Sequence, residues 1–143
     1  MKSTFRQLTK YCYLFLFGGL AYYLIEILWR GHSHMAMAVV GGLCFVLIGL
    51  INESLLHRGM PLVSQMTIAA GIITFVELVA GLILNRWLGL AIWDYSNLPL
   101  NLWGQICPQF FGVWWMLSLI GITLDDYIRY WFFKEEKPEY RFF

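Results

Sequence analysis

Residues 66–84 read MTIAAGIITFVELVAGLIL, an apolar stretch with a single ionisable side chain, Glu77, near its middle. About 20 apolar residues, each rising about 1.5 Å, cross the ~30 Å hydrocarbon core of a bilayer. Lipid offers no hydrogen-bond partners, so such a stretch must fold as a helix that satisfies its backbone internally. Glu77 then lies well below either surface. A carboxylate at that depth is costly unless it is paired, protonated or facing a cavity, which makes it a functional-site candidate.

Three further runs have similar length. The sequence predicts spanning helices over about 11–29, 35–56, 65–84 and 109–133, with RGHSH and HRGMP as turn signals after the first two. The chain of 143 residues is 59% hydrophobic and 13% charged, with a mean hydropathy of +0.62. Soluble domains carry about twice that share of charge. The expected class is an all-α integral membrane protein, one membrane domain over 1–143. A net charge of +1 without any Lys/Arg-rich run excludes a nucleic-acid partner. Cys12, Cys44 and Cys107 are widely spaced and read as small buried hydrophobes. The N-terminal run lacks a small-x-small cleavage site and ends in LIEILWR, so it reads as a retained first helix.

The positively charged residues set the orientation. With the N-terminus inside, Lys2, Arg6, Lys10, Arg58, Arg129, Lys134, Lys137 and Arg141 are cytoplasmic, and Arg30 and Arg86 are outside. The expectation is a multi-pass protein of the cell membrane with both termini cytoplasmic.

Segment 86–108, RWLGLAIWDYSNLPLNLWGQICP, is too apolar for a plain loop and too broken by Pro99, Gly104 and Pro108 for a straight helix. Trp87, Trp93, Tyr95 and Trp103 are residue types of an interfacial belt. The segment reads as an external broken or re-entrant piece between the third and fourth helices. It either caps a site or acts as a structural aromatic anchor. Asp94 is expected to bond to backbone amides or to a group near Arg30.

Within the third run, Ala70, Thr74, Glu77, Gly81 and Asn85 recur at helical spacing and share one face. Small residues admit a neighbouring helix and polar ones bond across the contact, so this face should look inward. In the first run, Glu26 and Arg30 are spaced to pair. His32 and His34 could join Glu26 as metal ligands, but an ion pair with a polar loop explains the same residues. Gly41, Gly42 and Gly49 suggest close packing of the second run, which ends in Asn52 and Glu53. The placement of Glu26 and Glu77, and of Asn52-Glu53 and Asp125-Asp126, gives a faint parallel repeat. None of the P-loop, Rossmann, G-x-S-x-G or H-E-x-x-H patterns occurs.

The stretches IEILWRGHSHMAMAVVGGLCFVLIGLINE and ELVAGLILNRWLGLAIWDYSNLPLNLWGQICPQF resemble a family of small polytopic membrane proteins named "putative type IV ABC-transporter (CmpB-like)". The resemblance covers about residues 22–115 and rests most on Glu77, Asn85, Trp93, Asp94, Tyr95, Pro99, Asn101, Gly104 and Gln105. It implies a multi-helix membrane fold and a transport role, and it carries over no ligand or catalytic residues.

Three functions compete on the sequence. The first is a small transporter, or the membrane subunit of a transport system. Its intramembrane acids would handle a proton, a cation or a small solute at Glu77, Glu26, Asn85 and Asp94, with Arg30, Trp93, Tyr95, Asn101 and Gln105 nearby. Four helices enclose little space, so a homodimer or another membrane or ATPase subunit is the expected partner besides the lipid bilayer. The second is a non-transporting module that binds a lipid, a small ligand or a protein. The weakest is a metal-dependent intramembrane enzyme built on Glu26, Glu77 and Asp94. The sequence leaves cofactor and metal unassigned.

Overall fold

The first apolar run folds as a helix that starts well before the run does. In the computed structural model, which describes residues 2–51, 60–135 and 137, α1 covers Lys2–Arg30. The polar opening KSTFRQLTK continues the helix because no proline or glycine interrupts it. It stops where Gly31 takes φ +80°, with Arg30 in the last turn, where a cation suits the helix dipole. α2 covers Met35–Leu50 and is capped by His34, whose Nδ1 accepts the Ala36 amide at 3.0 Å. That cap gives His34 a structural task at the position considered for a metal ligand. The rest of the predicted second run, with Asn52 and Glu53, lies outside the described residues.

α3 covers Leu62–Gly81 and continues as a π-helical turn, Leu82–Trp87. α4 covers Pro108–Phe133, with its proline at the position where a missing N–H costs nothing. α4 ends where Lys134 takes φ +55°. Among the described residues the fold is all-helical, with one isolated bridge between Leu102 and Ile106 and no strand. Ser3–Arg30 and Leu62–Trp87 are long and apolar enough to cross a membrane, and α2 is a shorter apolar helix.

The described residues form two compact units. One consists of residues 2–51 with 121–135 and 137, the other of 60–120. In the first, α1 and α2 make an antiparallel hairpin sealed by glycines. A Cβ on Gly19 would lie 2.5 Å from the Ala38 carbonyl oxygen, and one on Gly42 would lie 2.6 Å from that of Phe15. Such contacts let the two backbones approach closely. Leu14, Phe45 and Ile128 form the buried cluster where the C-terminal part of α4 joins this hairpin. Arg6 donates to the Phe133 carbonyl at 2.8 Å, and Lys10 pairs with Glu135 at 3.3 Å.

In the second unit, burial on α3 follows the predicted face. Met66, Ala69, Ala70, Glu77 and Gly81 are buried, whereas Gly71, Phe75, Val79 and Ile83 are exposed. A Cβ on Gly81 would overlap the Gln105 side-chain oxygen and come within 3.0 Å of the Trp93 ring. Gly71 has nothing within 4 Å. Gly81→Leu is therefore expected to cost about 1–3 kcal/mol by overpacking, and Gly71→Leu less than about 0.5 kcal/mol. Thermal unfolding of the two purified variants in detergent measures the difference.

Candidate functional site

Glu77 is buried on α3, and its Oε2 accepts the indole N–H of Trp114. The acceptor therefore sits on one helix and the donor on the other helix of the same unit. One turn before Glu77, Thr74 lies on the same face. Its buried hydroxyl oxygen has no hydrogen-bond partner among the described residues. A buried carboxylate beside an unspent hydroxyl offers oxygen ligands or proton acceptors inside an otherwise apolar helix pair.

Beyond Glu77, the chain turns through a network of amides. At the π-helical turn, Asn85 donates to Gln105 Oε1 at 2.9 Å, and its own oxygen accepts the Ile92 amide at 2.7 Å. π-turns widen a helix by one residue and often occur at functional positions. Gln105 is buried. It donates to the Trp103 carbonyl at 3.0 Å, and its own carbonyl accepts the Trp93 indole N–H at 3.1 Å. Asn101 bonds the Leu98 carbonyl at 2.8 Å and the Gly104 amide at 3.0 Å. Tyr95 stacks on Phe110 with ring centres 4.5 Å apart, and Phe110 adjoins Trp114 at 6.1 Å. The aromatic segment is thus an ordered loop closed by its own side chains.

Asp94 is exposed and caps a turn, accepting the Ser96 amide at 2.9 Å. The Ser96 amide, with help from the Ser96 hydroxyl, holds its carboxyl below the ordinary value. The expected bond to a backbone amide is present. In this role Asp94 is a turn-former.

The first unit holds the other sequence-derived residues. Glu26 accepts from the Tyr22 hydroxyl at 3.0 Å and pairs with Arg30 at 2.8 Å. Each of Glu26, Glu77 and Asp94 thus has its own local partner. Among the described residues no group of three His, Cys, Asp or Glu side chains could hold a metal.

Sequence reasoning missed the most buried charges. Asp125 and Arg129 pair at 3.1 Å, with side chains 1% and 6% exposed, against Gly49 of α2. Arg129, one of the residues expected on the cytoplasmic side, is a buried, ion-paired cation. The available signal was the acid-to-base spacing in DDYIR, four residues apart on one helix face.

Among the described residues the chain is all-helical, and two of its helices have the length and apolarity to cross a bilayer. The family described as "Putative ABC-transporter type IV" matches residues 6–140, and the chain belongs to it. By that description it is an ABC-transporter-related membrane protein. No curated protein and no solved structure matches the chain.

Proposed function

We propose that this chain is the membrane subunit of a transport system, with Glu77 as the group that takes up and releases a proton or small cation. The observation that carries this reading is the buried Glu77 carboxylate with the unspent Thr74 hydroxyl one turn away. Trp114 holds the carboxylate in place, while Asn85, Gln105 and Trp93 close the adjoining loop. All four helices span in this reading, α1 and α3 by their length and apolarity and α2 and α4 as their returning partners. Four helices enclose little volume, so two copies build the pathway, and an ATPase subunit would couple it to energy. Purified chain in sealed vesicles should dissipate an imposed proton or sodium gradient faster than empty vesicles do. Tight vesicles holding folded protein would favour the second reading, a ligand-binding module. That reading draws on the same ordered aromatic loop.

The proposed arrangement puts both termini in the cytoplasm and the 31–34 and 94–105 stretches outside. Cysteines placed at Ser33 and Ser96, in a background without the native cysteines, should react with an impermeant thiol reagent in intact cells. Labelling of both only after lysis would invert the topology.

A further inference from the structure

The loop between α3 and α4 is built inside out. Its amides point inward: Gln105 is 4% exposed, and Asn85 and Asn101 spend their side chains on the loop's own groups. Many of its apolar side chains are exposed, while Trp93 and Cys107 are buried. Leu100 is 86% exposed and Trp87 79%, and Leu88, Leu90, Leu102 and Trp103 are exposed as well. A loop in water does the reverse, because exposed amides are solvated at no cost and exposed leucine and tryptophan are not. Internal satisfaction of polar groups beneath an apolar exterior is the rule for chain in contact with lipid.

The inversion is local. Asp94, Ser96 and Asn97 form an exposed polar turn within the same loop. Leu100 and Trp103 both take left-handed backbone angles, φ +58° and +55°, although neither is glycine. The backbone bonds Tyr95 N–H to the Gly104 carbonyl at 2.7 Å and Leu102 N–H to the Ile106 carbonyl at 2.9 Å hold those bends in place. The loop therefore has one wet turn and one apolar edge, which is the character of chain at a headgroup boundary. Tryptophan is the residue type enriched there.

We propose that this loop lies in the lipid interface, with Leu100 and Trp103 turned into the acyl boundary and the Asp94–Ser96 turn facing water. The occupant of the apolar edge is lipid rather than a protein partner. The inference rests on the reading that α3 and α4 span, since their ends bring the loop to the membrane surface.

The test uses the full chain in phosphatidylcholine–phosphatidylglycerol vesicles, with the native cysteines replaced and a nitroxide placed at Leu100→Cys, Asn97→Cys or Met116→Cys. Collisions with oxygen report lipid, and collisions with a water-soluble nickel chelate report water. Position 100 should favour oxygen, position 97 nickel, and position 116, exposed on α4, oxygen most strongly. Nickel-dominated collisions at 100 equal to those at 97 would overturn the proposal, as would a label at 100 shielded from both reagents, which would mean a protein cover. If 116 also reported water, the spanning reading itself would fail, so the two failures are distinct. Should the cysteine-free background not fold, quenching of native tryptophan fluorescence by brominated lipid replaces it. Trp103→Phe should then reduce the quenched fraction, and an unchanged fraction would overturn the proposal.

Discussion

Arg129→Met is expected to destabilise the protein by about 3–5 kcal/mol, because it leaves the Asp125 carboxylate buried without its ion-pair partner. Asp125→Val together with Arg129→Met should recover most of that loss, since apolar side chains nearer in volume to the pair need no desolvation. A double-mutant cycle read by thermal unfolding in detergent checks this. A double variant no more stable than the single would show that the loss arises elsewhere, for instance from poor packing against Gly49, where a Cβ would lie 2.6 Å from Asp125 Oδ1.

Glu77→Leu should cost about 1–3 kcal/mol by leaving the buried Trp114 indole N–H without its acceptor. Glu77→Gln keeps a carbonyl oxygen where the indole donates, so its stability should stay near that of the native chain. Unfolding midpoints for the two variants, measured under one detergent condition, should fall in that order. Equal losses would mean that the negative charge, rather than the acceptor, holds Trp114.

Much of the scaffold was legible in the sequence because apolar length and helical spacing act locally. The buried face of α3 through Ala70, Glu77 and Gly81 follows from positions three and four apart. The proline and glycine breaks around Trp93 and Trp103 mark a segment too broken for a straight helix. Periodicity fixes a face but not the residue opposite it, which is why Trp114 was not foreseen as the partner of Glu77. Asp125 and Arg129 stand near the end of an apolar run, where charges ordinarily meet water. Their enclosure against Gly49 is a tertiary feature that no local pattern encodes. The π-helical turn at Leu82–Trp87 departs from regular helical spacing, so periodicity did not reveal it.

The central claim is that Glu77 must gain and lose a proton or cation for the protein to work. The direct measurement is proton flux through sealed vesicles holding equal amounts of native chain or Glu77→Gln, reported by an entrapped pH-sensitive dye and paired with an unfolding curve for each. The account predicts equal stability, a rapid decay of the gradient with the native chain, and decay at the rate of empty vesicles with Glu77→Gln. Equal flux through both proteins would contradict it and remove Glu77 from the mechanism.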